Sequence, residues 1–89
     1  MIQTVIKRDG RITGFNEEKI KSAIRKAMLA TETGEDEELI YKIATRIGAR
    51  GDERMTVEAI QDLVEVELMK SSRKEVARKY IAYRERWSR

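Results

Sequence analysis

The stretch Thr4-Val5-Ile6-Lys7-Arg8-Asp9-Gly10-Arg11-Ile12-Thr13-Gly14-Phe15 decides the fold. Two short runs of β-branched and aromatic residues flank Asp9-Gly10, a dipeptide favoured in a tight hairpin turn whose two central residues both need positive φ. The spacing predicts a hairpin over residues 3–15. A hairpin this small is not stable in water by itself, so it must pack on something larger.

The larger part follows at once. Asn16 precedes Glu17-Glu18-Lys19-Ile20, a cap with acids in the first turn, where the helix dipole favours them. Ile20, Ala23, Ile24, Ala27 and Met28 then recur at helical spacing and predict a helix over about residues 17–30. Leu39, Ile40, Ile43, Ala44 and Ile47 predict a second over 35–49, with Gly48 and Gly51 at its exit. Arg54-Met55-Thr56 is short enough to add a third strand, and Thr56 caps a third helix over 57–70 built on Val57, Ile60, Val64 and Leu68. Glu58, Asp62 and Glu65 are expected on its outer face. After Ser71-Ser72, a fourth helix over 73–87 places Val76, Ala77, Tyr80, Ile81 and Trp87 toward the core. The expected fold is α+β: an antiparallel four-helix bundle in one domain over residues 1–89, capped by a hairpin or a three-stranded sheet.

With 89 residues, 40% hydrophobic and 39% charged, the chain has the mixture of a small soluble domain. No run approaches the roughly 18 consecutive apolar residues of a membrane helix, and no signal peptide is evident, so the expected location is the cytoplasm. Cysteine and histidine are absent, which removes disulfides, thiolate nucleophiles, zinc fingers and imidazole bases together. A metal held by Asp and Glu alone stays open in principle, but no metal site is expected from the protein's side chains, and a nucleotide, if one binds, could bring its own Mg2+.

Charge is unevenly spread. Residues 1–26 carry seven Lys or Arg against three acids, net +4; residues 27–69 carry four against eleven, net −7; residues 70–89 carry eight against two, net +6. If the two ends meet, they form a cationic surface suited to phosphate with the acidic middle held elsewhere; otherwise the charges are solvated helix faces. Lys7 and Arg8 at a strand end, the Gly10 turn and Lys19 in the next helix are the parts of a phosphate cradle. They equally suit an ordinary hairpin whose basic residues limit edge pairing. Alternation on a strand would send Lys7 and Arg8 to opposite faces. Tyr83 and Arg86, three apart, share a helical face and could meet a base and a phosphate, or Tyr83 could be core with a wet hydroxyl. The acids from Glu32 to Glu38 lack the order of a calcium loop, Glu65 and Glu67 point apart, and neither common glycine-rich nucleotide loop is present.

Val5-Ile6-Lys7-Arg8-Asp9-Gly10, Phe15-Asn16-x-x-Lys19-Ile20, Ala23-Ile24, Ile60-Gln61-Asp62-x-Val64-Glu65 and Ala77-x-x-Tyr80-Ile81-x-Tyr83-Arg84 together closely resemble the ATP-cone, a regulatory domain at the N-terminus of many ribonucleotide reductases. The resemblance covers nearly the whole chain. It implies an allosteric domain with no catalytic residues of its own, binding ATP or dATP and reporting their balance to the catalytic body of a ribonucleoside-triphosphate or diphosphate reductase through quaternary structure. It also implies contacts between copies of the domain. By position, Lys7, Arg8 and Lys19 would meet phosphates, with Gly10 admitting the ligand to the backbone. Val5, Ile6 and Ile20 would line the base or sugar side, Asn16 would lie near the ribose or base, and Gln61, Tyr83 and Arg86 would add polar contacts. Thr13 stands near a position where sharply discriminating members often carry an acid, and Gln61 and Tyr83 stand where some relatives carry histidine. A repressor that shares the domain begins with a cysteine-bearing zinc ribbon, so the cysteine-free chain looks more like a reductase, and its tail resembles the anaerobic class. Two rival readings are a nucleic-acid-binding module using the basic hairpin and tail helix, and a degenerate cone that serves only as a protein contact.

Overall fold

The computed structural model describes residues 1–50 and 52–87, for Trp87 the backbone only; Gly51 as a helix exit and the expected core position of the Trp87 side chain lie outside the described residues. The order is β1 (Thr4–Ile6), β2 (Ile12–Gly14), α1 (Glu17–Leu29), α2 (Glu37–Ala49), β3 (Arg54–Thr56), α3 (Val57–Lys70) and α4 (Lys74–Trp87). This is an α+β fold of four helices and one mixed sheet. Among the described residues, no helix is long and apolar enough to cross a membrane.

Each helix turns one apolar stripe inward. Ile20, Ile24, Ala27 and Met28 from α1 meet Ile40, Ile43, Ala44 and Ile47 from α2, Ile60, Val64 and Leu68 from α3, and Val76, Ala77 and Tyr80 from α4. The helices close a ring in which α1 touches α2 and α4, and α3 touches α2 and α4. Burying each isoleucine or leucine stabilises this ring by roughly 1.5–3 kcal/mol. Polar caps set the helix starts: Asn16, Asp36 and Thr56 accept from the backbone N–H of Glu18, Leu39 and Ala59 at 3.0, 3.2 and 3.1 Å. Asp36 is the residue that captures an amide, so α2 opens at Glu37 rather than at the first acid of the run.

The sheet order is β2-β1-β3. β1 pairs antiparallel with β2, Val5 opposite Thr13, and parallel with β3, Val5 opposite Met55 and Ile6 opposite Thr56. Alternation puts Val5 and Met55 against the core, while Ile6 is only half-buried and Ile12 is exposed. Phe15 follows β2 onto α2, and a Cβ at Gly48 would stand 3.4 Å from its ring, a close approach that glycine makes easy.

The hairpin turn departs from the two-residue expectation. The Lys7 N–H donates to the Arg11 carbonyl at 2.8 Å and Gly10 N–H to the Lys7 carbonyl at 2.9 Å, leaving the three-residue loop Arg8-Asp9-Gly10. Within that loop only Gly10 has positive φ, at 89°. The cause lies in Asp9, whose carboxylate accepts from the Arg11 backbone N–H at 3.1 Å and from Arg11 Nε at 2.6 Å, a local closure that keeps Asp9 out of the left-handed region.

Candidate functional site

β3 runs without a break into α3, because Thr56 ends the strand and caps the helix. Thr56 also pairs with Ile6, the last residue of β1, so the first turn of α3 is fixed beside the loop that follows Ile6. The result is an open groove lined by Lys7, Arg8, Asp9, Arg11, Val57 and Gln61. Three cations and the N-terminal end of a 14-residue helix thus face one space, an arrangement that attracts an anion. The conflict over alternation disappears, since β1 ends at Ile6 and Lys7 and Arg8 enter the groove from the turn.

The acids of α3 do not simply face outward, and the acidic middle is not held apart from the basic ends. Arg8 Nε donates to Glu58 Oε2 at 3.1 Å and its Nη2 to Gln61 Oε1 at 3.3 Å. Arg84 from α4 donates through Nη1 to Asp62 Oδ1 at 2.7 Å and to Glu65 Oε2, and through Nη2 to the Glu58 carbonyl at 3.3 Å. Helical periodicity marks which face of α3 is polar; it carries no information on cations arriving from 19 to 50 residues away. Burial opposes the charge of Arg84, but the hydrogen bonds to Asp62 and Glu65 outweigh it and raise the guanidinium pKa.

Gln61 also lines a slot of about water size with Ala23, Lys26, Tyr80, Tyr83 and Arg84. Burial pushes the Tyr80 phenol up to about 12. Tyr83 continues into a second groove with Ala30, Lys79, Ala82 and Arg86, and the Arg86 guanidinium lies 5.9 Å from the Tyr83 ring centre. Lys7, Arg8 and Gln61 are therefore brought together, Tyr83 and Arg86 form a second pair, and Gln61 and Tyr83 meet at the slot between them. Gly10 shapes the turn. Among the described residues Val5, Ile6, Asn16, Lys19 and Ile20 do not line the first groove: Val5 and Ile20 pack in or on the core, Asn16 caps α1, and Lys19 is exposed in its first turn. Arg11 and Val57 also line the groove without belonging to the expected contact set; Arg11 directly follows the turn glycine and Val57 directly follows a capping threonine.

Fold and groove define a class: a small α+β domain whose sheet turn sets cations against the start of a helix. Residues 3–89 match the family described as ATP cone domain. The chain belongs to the ATP-cone family. It is 43% identical over 94 residues to the vitamin B12-dependent ribonucleoside-diphosphate reductase of Thermoplasma acidophilum, covering 97% of this chain and 12% of the reductase. Identity is 36% over 95 residues to the ribonucleoside-diphosphate reductase subunit alpha of Chlamydia pneumoniae (94% and 9% covered). It is 39% over 84 residues to the anaerobic ribonucleoside-triphosphate reductase of Haemophilus influenzae (90% and 12% covered). The chain thus spans 9–12% of the length of these relatives, which represent three kinds of reductase.

Proposed function

We propose that this domain senses ATP against dATP and regulates the overall activity of a ribonucleotide reductase through quaternary structure, without catalytic residues of its own. The observation that carries the reading is the convergence of Lys7, Arg8, Arg11 and Gln61 on one groove beside the first turn of α3. Lysine supplies a point charge and arginine a two-pronged donor, and a triphosphate uses both. The family resemblance would bring Lys19 to the same phosphates and set Asn16, Ile6, Val5 and Ile20 toward the nucleoside, although none of these five lines the groove itself. Tyr83 and Arg86 add an aromatic ring and a cation farther along. Magnesium would arrive on the nucleotide; among the described residues no group of three or more His, Cys, Asp or Glu could hold a metal.

ATP and dATP differ by one hydroxyl, and one matched or lost hydrogen bond is worth about 1–3 kcal/mol. That difference shifts an assembly equilibrium by about 5- to 150-fold when the two nucleotides favour different assemblies. Titration calorimetry with ATP, dATP and a short single-stranded oligonucleotide, with molecular mass followed in parallel, tests the reading. Saturable binding of both nucleotides and weak oligonucleotide binding are expected, with Lys7→Ala weakening the nucleotides. Unaltered nucleotide affinity in Lys7→Ala and Lys19→Ala, or tight salt-sensitive oligonucleotide binding alone, overturns it.

A further inference from the structure

Two arginines meet the acids of α3, and they differ in how far their side chains are exposed. Arg84 is shared between two carboxylates and a backbone carbonyl, with its side chain only 20% exposed. Arg8 meets the Glu58 carboxylate at 3.1 Å, in a pair whose side chains are 37% and 45% exposed. Exposed pairs of the second kind contribute little to stability and exchange readily, whereas a shared, shielded guanidinium stays in place.

We infer that Glu58 is a built-in competitor for the anion site: its carboxylate holds the Arg8 guanidinium over the groove until a phosphate takes its place. This deepens the nucleotide reading above and rests on it. Glu58 sits in the first turn of α3, where negative charge is favoured by the helix dipole, so an arriving phosphate replaces it in both of its roles, toward Arg8 and toward the helix end. Gln61 Oε1, 3.3 Å from Arg8 Nη2, keeps a second hold on the guanidinium during the exchange. Glu58 stays nearby as a like charge, so the site sets a threshold. A triphosphate, with several oxygens to spread over Lys7, Arg8 and Arg11, overcomes the carboxylate; a single phosphate competes with it poorly.

Glu58→Gln tests this, because glutamine keeps the length and an acceptor oxygen for Arg8 while removing the charge. Calorimetry on the whole chain at low salt should show ATP bound about three- to fivefold more tightly by Glu58→Gln than by wild type. AMP, which brings fewer negative charges toward Glu58, should gain less than ATP, and added salt should shrink both gains. Glu58→Asp, which keeps the charge, should stay within about twofold of wild type. Equal or weaker ATP binding by Glu58→Gln overturns the inference while leaving the nucleotide reading intact. A loss confined to buffers containing magnesium also overturns it and makes Glu58 a ligand of the nucleotide's metal. A wild-type chain that binds no ATP removes the nucleotide reading itself, and this inference with it.

Discussion

Nη1 of Arg46 donates to Oε1 of Glu67 at 2.9 Å across the seam between α2 and α3, and Glu67 is the buried charged residue of the described chain at 8% exposure. Removing the arginine leaves that carboxylate without its counter-charge. Because Arg46 is itself half exposed, Arg46→Ala should cost about 1–2 kcal/mol rather than the full value for a buried pair. In a domain of this size that lowers Tm by roughly 4–8 °C per kcal/mol. Adding Glu67→Leu should restore most of the loss in urea unfolding. A double variant less stable than Arg46→Ala would show that the carboxylate is tolerated unpaired.

Arg73 joins the two inter-helix connections at one end of the bundle. Its Nη2 donates to Thr33 Oγ1 at 2.6 Å and to the Gly34 carbonyl at 2.9 Å, and its Nε to Glu75 Oε2 at 2.7 Å. Arg73→Ala should destabilise the chain by about 1–3 kcal/mol and speed amide exchange in the segment between α1 and α2. Arg73→Lys should recover little, since an ammonium cannot reproduce the fork. The same hydrogen bond is the main reason the Glu75 carboxyl lies below its usual range. The stability from Glu75 is present above the ordinary glutamate pKa and fades as pH falls through the lowered one. NMR titration of Glu75 in Arg73→Ala should show its pKa moving up toward the ordinary range, with the hydrogen bonds from its own backbone and Thr33 still holding it somewhat low.

Tyr80 carries a pH dependence at the other extreme. Burial favours the neutral phenol and lifts its pKa from 10.0 to about 12 in the folded chain. The folded pKa is raised, so this contribution is complete below about pH 10 and is lost as pH climbs through about 12, a loss on the order of 2 kcal/mol. Unfolding measured across that window should fall more steeply for wild type than for Tyr80→Phe. Parallel curves would show that lysine deprotonation, not Tyr80, governs the alkaline limit.

Gly10 has φ of 89°, and a Cβ added there would meet nothing within 4 Å, so a substitution is opposed by backbone conformation alone. Gly10→Ala should cost about 1–2 kcal/mol and Gly10→Asn less, because asparagine tolerates the left-handed region better. Gly10→Ala should also weaken ATP more than its loss of stability explains, since Lys7 and Arg8 share the turn. Equal urea midpoints for wild type and both variants would contradict the strain.

The helices are legible in the sequence because each has an apolar stripe at helical spacing and a polar residue able to cap it; Asn16 and Thr56 are instances. β1 and β2 are legible from composition, and β3 from the compact run Arg54-Met55-Thr56. The turn length is not, because Asp-Gly fits two loop lengths, and the choice between them rests on the Asp9 carboxylate meeting Arg11. The cations of the site are visible in the sequence, yet their carboxylate partners are not. Arg8 with Glu58, and Arg84 with Asp62 and Glu65, are joined only by tertiary packing, which no local pattern encodes.

The parallel pairing of β1 with β3 has a kinetic consequence. Thr4 meets Arg54 across 50 residues of chain, so the central strand of the sheet is synthesised long before its second neighbour. Until then β1 presents an open edge, the kind of surface on which chains join one another. The pairing of β1 with β3, like the packing of α1 on α4, closes a long loop of chain, the non-local kind of contact that slows folding. The anion groove, whose far wall is the start of α3, is complete only once that pairing has formed.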